Sequence, residues 1–215
     1  MANYLTVIAL LAAGVLASSA GEAAGIYPAG LETTPSIQAS TPTLAPFQHI
    51  RFCIRHPLDC RTDLAAPDSV ELTPGLFELM DSINREVNAA ITPVEKRYGS
   101  NLSDGWNIAP FSGDCNDYAV TKRHALLQKG VPSRSLRLSV VKTASGIGHL
   151  VLVVATTRGP LVLDNLANTI RPWHVTDYHW LKIQSADNAN YWYDIAPMVG
   201  NSSRARTRVA QISQR

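Results

Sequence analysis

Three residues in the second half of the chain, Cys115, His149 and Asp164, are of the types that a thiol nucleophile, its base and the group orienting that base require. Cys115 follows Asp114 at the predicted start of a helix, where unpaired N–H groups and the helix dipole lower the pKa of a thiol. The same N–H groups could hold a developing oxyanion. The pattern indicates nucleophilic catalysis by Cys115, with its base delivered from elsewhere in the chain.

The predicted helix that begins at Cys115 carries signals at both ends. Asp114 is a good N-cap, Asp117 suits the third helical position as the acid of a capping box, and Gly130 suits the stop after the last turn. Residues spaced three and four apart share one face of this helix, namely Cys115, Tyr118, Ala119, Lys122 and Leu126. The thiol is therefore expected in the first helical turn.

His149 and Asp164 lie in segments with strand character. Residues 136–141 alternate, residues 149–155 form a β-rich run, and residues 161–165 return after a turn. We assume a turn before the last segment that is centred between Thr156 and Thr157. His149 and Asp164 then lie directly opposite each other, with Cβ atoms about 5 Å apart, close enough for the carboxylate to fix the imidazole tautomer.

Other interpretations of these residues stay open. A turn centred on residues 158–159 would pair His149 with Asn168 instead. A histidine in a strand is commonly structural, and Asp164 could be a plain turn residue. Of the remaining histidines, His124 lies in the middle of the predicted helix. The other four, which have no matching acid, are His49, His56, His174 and His179.

An amphipathic helix is predicted ahead of the nucleophile. Thr73 and Pro74 are typical of an N-cap followed by the first helical position. Apolar residues then recur at three- and four-residue steps, at Leu76, Phe77, Met80, Ile83, Val87 and Ile91. Helices followed by a meander of strands predict an α+β class, with N-terminal helices packed on an antiparallel β-sheet.

Composition limits the class of protein. The chain has 215 residues, of which 46% are hydrophobic, and a net charge of +2. This length predicts one folded domain, placed at residues 48–199. The scattered basic residues indicate no nucleic-acid partner, and the lack of a long apolar run after residue 20 excludes a polytopic membrane protein.

Both ends of the chain are predicted to lie outside the domain. Residues 1–20 have the pattern of a signal peptide, with an apolar stretch before small residues that end at Ala20. An uncleaved anchor is the alternative, although the apolar stretch is short for spanning a bilayer. Residues 21–47 are typical of a linker and residues 200–215 of a flexible basic tail. We expect a periplasmic or secreted protein without stable membrane insertion after cleavage.

The three cysteines divide into a pair and a single residue. Cys53 and Cys60 are close in sequence, which in an exported protein predicts a disulfide. A zinc site that includes His56 is the alternative, but no second ligand pair follows at the usual spacing. Cys115 is left without a partner, which suits either burial or chemistry.

Three blocks in order resemble the bacterial transglutaminase-like cysteine peptidases, a family that includes LapG-like periplasmic proteases. They are Gly-Asp-Cys-Asn-Asp-Tyr-Ala at 113–119, Gly-His-Leu-Val-Leu-Val-Val at 148–154 and Leu-Val-Leu-Asp-Asn at 161–165. The resemblance implies a papain-like, transglutaminase-like fold. It also implies a triad in which Cys115 is the nucleophile, His149 the base and Asp164 the orienting acid, with Trp106 as an oxyanion-hole donor.

The acids beside the nucleophile raise the question of a metal. Asp114 and Asp117 oppose ionisation of the Cys115 thiol, and a bound hard cation would relieve that conflict. The resemblance implies Ca²⁺ with ligands at Asp114, Asn116 and Asp117. Asn116 stands where the LapG-like members have Glu, which removes one negative charge. The alternative is that the two acids only cap the helix.

The sequence thus predicts an exported cysteine peptidase that cuts a protein substrate through a thioester acyl-enzyme, with no cofactor required for the chemistry. The resemblance suggests a cell-surface adhesin as the substrate. Two alternatives stay open. One is acyl transfer from the thioester to an amine, and the other is a non-catalytic envelope module that binds a partner.

Overall fold

The computed structural model describes residues 34–95 and 105–197, so the predicted signal peptide and basic tail lie outside the described residues. The described ranges contain three α-helices: α1 (Phe47–Arg55), α2 (Pro74–Ala90) and α3 (Cys115–Gln128). Their strands are β1 (Ala39–Thr43), β2 (Thr92–Pro93), β3 (Ser112–Gly113), β4 (Leu136–Lys142), β5 (Gly148–Val154), β6 (Leu161–Leu163), β7 (Arg171–Pro172), β8 (His179–Gln184) and β9 (Trp192–Ile195). None of these three helices has both the length and the apolar character that crossing a bilayer requires.

Seven strands form one antiparallel sheet in the order β1-β9-β8-β4-β5-β6-β7. Leu152 of β5 packs in a cluster with Met80 of α2 and Leu126 of α3. The next residue, Val153, joins a second cluster with Trp180, because successive strand residues point to opposite faces. The predicted α+β class, with helices packed on an antiparallel sheet, is confirmed.

Local capping fixes where the two long helices begin and end. Thr73 Oγ1 accepts a hydrogen bond from the N–H of Leu76 at 3.1 Å, and the Asp114 side chain accepts one from the N–H of Asn116 at 3.1 Å. Gly130 has φ +82° just after α3, a conformation that glycine adopts without a Cβ clash. The caps predicted for both helices are confirmed.

The sheet begins earlier than the predicted domain start at residue 48. Strand β1 lies within residues 21–47, which the sequence analysis treats as a linker, and it pairs with β9 at Ala39↔Ile195 and Thr43↔Trp192. It is an edge strand whose side chains are mostly exposed. It therefore lacks the alternation of apolar and polar residues by which strands are recognised.

The register of the β5–β6 hairpin differs from the predicted one. Val153 pairs with Val162. The turn is closed by the N–H of Gly159, which donates to the carbonyl of Thr156 at 2.9 Å, so its central residues are 157 and 158. The predicted turn between residues 156 and 157 is wrong, and so is the alternative at 158–159. The difference of one turn position slides the pairing by two residues, which leaves every side chain on the same face.

The two nearby cysteines behave as the first interpretation expected. Cys53, in α1, and Cys60 are joined by a disulfide. The zinc alternative is therefore wrong, because a metal-binding cysteine needs a free thiolate. The histidine beside this disulfide is His49, whose Nε2 lies 3.5 Å from the sulfur of Cys53.

Candidate active site

Cys115 is the first residue of α3 and lines an open cleft of about 470 Å³. Since the other two cysteines of the chain form the disulfide, Cys115 carries its one free thiol, which is half-buried. Its position places the sulfur at the positive end of the helix, where a thiolate is stabilised. The predicted position of Cys115 in the first turn of this helix is confirmed.

His149, in β5, faces the same cleft with only 6% of its surface exposed. Its Nε2 lies 2.8 Å from Oδ1 of Asp164, which leaves Nδ1 for the thiol. Burial alone would lower the pKa of His149, but hydrogen bonds to Asp164 and Cys115, together with the charges of these partners, raise it to about 9. A protonated imidazole beside the thiol favours the thiolate form.

Asp164 follows directly after β6 and is 2% exposed. Its Oδ1 faces His149 and also accepts a hydrogen bond from the backbone N–H of Leu166 at 3.0 Å. Its Oδ2 accepts a hydrogen bond from the hydroxyl of Tyr178. Burial would raise the pKa of Asp164, but the hydrogen bond and charge of His149, followed by the other two donors, hold it below its ordinary value. The acid is therefore kept as a carboxylate.

The backbone of Asp164 is held by two asparagines of α2. Asn84 Oδ1 accepts from the N–H of Asp164 at 3.1 Å, and Asn88 Nδ2 donates to its carbonyl at 3.0 Å. The sequence predicts α2 only as an amphipathic helix, and its pattern assigns no functional role to Asn84, Asn88 or Tyr178. Asn84 is fully buried. In the sequence it is one polar residue beside the apolar face of a helix, a pattern that does not indicate a functional role.

The cleft walls are largely apolar and include the indole of Trp106. The lining side chains include Phe47, Gln48, Trp106, Asn116, Val140, Leu150 and Lys182. The backbone carbonyl of Trp106 accepts from Arg55 Nη2 at 2.6 Å, which fixes this residue beside α1. Within residues 34–95 and 105–197, no hydrogen bond engages the indole Nε1 of Trp106.

The predicted calcium ligands cap α3. Asp117 is fully buried, and its Oδ1 and Oδ2 accept from the backbone N–H groups of Asn107 at 2.7 Å and Asp114 at 2.9 Å. Asp114 Oδ1 accepts from both the backbone N–H and the side-chain amide of Asn116, each at 3.1 Å. These contacts fit the capping interpretation. They do not fit a calcium cage in which all three side chains present free oxygens.

The remaining histidines of the described ranges lie outside the cleft. His124 forms a hydrogen-bonded pair with an acid, since its Nδ1 lies 2.8 Å from Asp59 Oδ1. That pair shares no atom with the cleft that Cys115 and His149 line. Of the acid–histidine pairs in the described residues, the one formed by His149 and Asp164 is the pair next to the free thiol.

Comparison with known proteins gives a family match over most of the chain. The sequence profile described as bacterial transglutaminase-like cysteine proteinase matches residues 39–199, which contain the whole sheet and the site. Among functionally curated proteins, no sequence matches significantly.

Solved structures of LapG from Legionella pneumophila are similar in fold. The calcium-bound form has a TM-score of 0.47 and 22% sequence identity, over 77% of this chain and 92% of that chain. A further LapG structure has a TM-score of 0.44 and 22% identity, over 79% and 90% of the two chains. The EGTA-treated form has a TM-score of 0.44 and 21% identity, over 76% and 90%.

Proposed function

The chain belongs to the family of bacterial transglutaminase-like cysteine proteinases, and we propose that it hydrolyses a peptide bond of a protein substrate through Cys115, His149 and Asp164. The observation that carries the proposal is the 2.8 Å contact between His149 Nε2 and Asp164 Oδ1, with His149 and the free thiol of Cys115 lining one open cleft. The cleft gives a polypeptide access to the thiol.

In the first half of the reaction, the Cys115 thiolate attacks the carbonyl carbon of the scissile bond. The negative charge that develops on the carbonyl oxygen is stabilised by the backbone N–H at the start of α3 and by the indole N–H of Trp106. The C–N bond then breaks as the His149 imidazolium transfers its proton to the leaving amine. The acyl group remains on Cys115 as a thioester.

In the second half, neutral His149 takes a proton from a water molecule that attacks the thioester carbon. The C–S bond breaks, the new carboxylic acid leaves, and the thiolate and imidazolium are restored. Asp164 stays ionised throughout and keeps the imidazole ring oriented toward the sulfur.

We also propose that the protein works outside the cytoplasm, in the periplasm or after secretion. Residues 1–20 have the pattern of a signal peptide. The disulfide between Cys53 and Cys60 supports this location, because such bonds persist in oxidising compartments.

The thioester chemistry proposed above uses only residues of the chain. Calcium stays a prediction for Asp114, Asn116 and Asp117, and the capping contacts of these residues weigh against it. We therefore expect hydrolysis to continue in the presence of EGTA. Loss of cleavage in EGTA that calcium restores would contradict this expectation.

The test is to incubate envelope extracts with the wild type or with Cys115→Ala and to map new protein N-termini by mass spectrometry. We expect new N-termini with the wild type only, and the resemblance points to a surface adhesin among the cut proteins. Cys115→Ala must retain the melting temperature of the wild type for the comparison to hold. Cleavage by a folded Cys115→Ala protein would refute the proposal.

The same incubation separates hydrolysis from the two alternatives. A labelled primary amine is added, and stable incorporation into proteins without new N-termini would identify acyl transfer instead. A non-catalytic module would produce neither result. It would also leave Cys115 no more reactive toward iodoacetamide than an ordinary thiol.

A further inference from the structure

We propose that Tyr178 is a positioning residue of the site, whose hydroxyl holds the Asp164 carboxylate in the orientation that the His149 ring requires. The inference rests on the proposed function, since it concerns the acid of the proposed triad. Tyr178 lies just before β8 and so is not part of the β5–β6 hairpin segment that carries His149 and Asp164.

The two carboxylate oxygens of Asp164 have separate partners. Oδ1 faces His149 Nε2 at 2.8 Å and the N–H of Leu166 at 3.0 Å, whereas the partner of Oδ2 is the hydroxyl of Tyr178. Asp164 is 2% exposed, so water cannot readily replace a lost donor. The Tyr178 hydroxyl therefore decides which oxygen is turned to the histidine.

The direction of the Tyr178 hydrogen bond follows from the charge of its acceptor. Because the ionised Asp164 carboxylate can only accept, the Tyr178 hydroxyl is the donor. The Arg171 guanidinium, on β7, interacts with the phenol through its positive charge. Burial and the Asp164 carboxylate raise the pKa of Tyr178 well above its ordinary value, so the phenol keeps that proton.

Tyr178 also contacts the base directly. Its ring centroid lies 5.7 Å from that of His149, with an interplanar angle of 61°, which is an edge-to-face arrangement. Replacement by phenylalanine would keep this ring contact and remove only the hydroxyl. The hydrogen bond and the packing can therefore be tested separately.

The other groups around Asp164 do not duplicate this role. Lys122 on α3 interacts with Asp164 through its charge, but the described residues offer its Nζ no hydrogen-bond partner. The α2 asparagines hold only the backbone of Asp164. Without the Tyr178 hydroxyl, Oδ2 becomes a buried acceptor with no donor, which makes the carboxylate easier to protonate and free to rotate.

The test uses the rate at which iodoacetamide alkylates Cys115, the one free thiol, as a function of pH. The full-length wild type is compared with Tyr178→Phe and with Tyr191→Phe, a matched control at a tyrosine that is 62% exposed. In Tyr178→Phe we expect the acidic limb of the profile to move to higher pH by about one unit, which is about a tenfold slower reaction on that limb. The melting temperature and the profile of Tyr191→Phe should equal those of the wild type.

Two further variants keep the result interpretable. His149→Ala gives the pH profile of alkylation for a thiol without its base. If the wild type has that same profile, the proposed function is refuted, which is a different result from failure of the Tyr178 role. If Tyr178→Phe does not fold, Arg171→Met takes its place, and a smaller shift in the same direction is expected. A folded Tyr178→Phe or Arg171→Met protein with the wild-type profile would overturn the positioning role.

Discussion

His149 Nε2 and Asp164 Oδ1 lie 2.8 Å apart, although the two residues are not opposite each other in the strand ladder. Pairing in the hairpin ends at Leu163, and Asp164 continues beyond it. The two side chains meet as diagonal neighbours on one face of the sheet, a separation that longer side chains can bridge. Contact between them therefore depends on the shared face rather than on direct pairing.

Asp164→Asn should test this relationship. The neutral amide cannot stabilise the imidazolium, so we expect the rate of peptide cleavage to fall by roughly 10²–10⁴-fold. The Asn84 and Asn88 contacts to the backbone should keep the variant folded. Asp187→Asn, at a mostly exposed acid, serves as the control and should retain full activity. An Asp164→Asn protein with undiminished cleavage would contradict the triad.

Lys122→Met should stabilise the protein at neutral pH. Lys122 is fully buried in α3, its Nζ has no hydrogen-bond partner in the described residues, and burial lowers its pKa to about 7 against the opposing charge of Asp164. At pH values between about 7 and the ordinary pKa of 10.5, Lys122 is protonated in the unfolded chain and neutral in the folded protein. The free energy of unfolding should therefore rise with pH, by about 4 kcal/mol from pH 7 to pH 10.

Urea unfolding at several pH values measures this effect. We expect the rise between pH 7 and pH 10 to disappear in Lys122→Met and to persist in Lys129→Met, whose lysine is exposed at the end of the same helix. A methionine fills a similar volume without a charge, so the variant should also be more stable than the wild type at pH 7. Identical pH dependence in Lys122→Met and wild type would show that the amine is protonated in both states.

Features with a local signal are predictable from this sequence, whereas features that depend on distant parts of the chain are not. The caps at Asp114 and Gly130 follow from adjacent residues, and both were predicted. The register of the hairpin depends on which two residues form the centre of the turn. The observed centre lies one residue beyond the assumed one, so the predicted pairing is wrong. Tyr178 contacts Asp164 from the segment just before β8, and no spacing in the sequence places the two together.

Acid should destabilise the protein through His49. This ring is 1% exposed, and burial, with a smaller contribution from the charge of Arg123, lowers its pKa to about 4. Gln184 Nε2 lies 3.1 Å from one ring nitrogen, and Trp192 Nε1 donates to the other at 3.4 Å. In a protonated ring both nitrogens carry a hydrogen, so each N–H of His49 would face another N–H donor.

As the pH falls from 6.5 to 4, the unfolded chain gains a proton at His49 that the folded protein resists. We expect a loss of about 3 kcal/mol of unfolding free energy over this range. His49→Gln should flatten this part of the curve, and His179→Gln, at an exposed histidine, should not. The measurement is urea unfolding at pH 4 to 7, and an unchanged slope in His49→Gln would assign the acid sensitivity to other groups.

Trp106→Phe should separate oxyanion stabilisation from thiol activation. Peptide hydrolysis builds negative charge on a carbonyl oxygen, which the indole N–H can stabilise, whereas alkylation by iodoacetamide builds none. Loss of one such donor typically costs about 10²–10³-fold in kcat. We therefore expect the cleavage rate of Trp106→Phe to fall by about that factor, measured on the substrate that the comparison of wild type with Cys115→Ala identifies. The rate at which iodoacetamide alkylates Cys115 should stay that of the wild type. Trp180→Phe, in the cluster on the far face of the sheet, is the control for loss of an indole. Equal losses in both assays of Trp106→Phe would mean that the indole only positions Cys115, because thiolate formation would then be impaired as well.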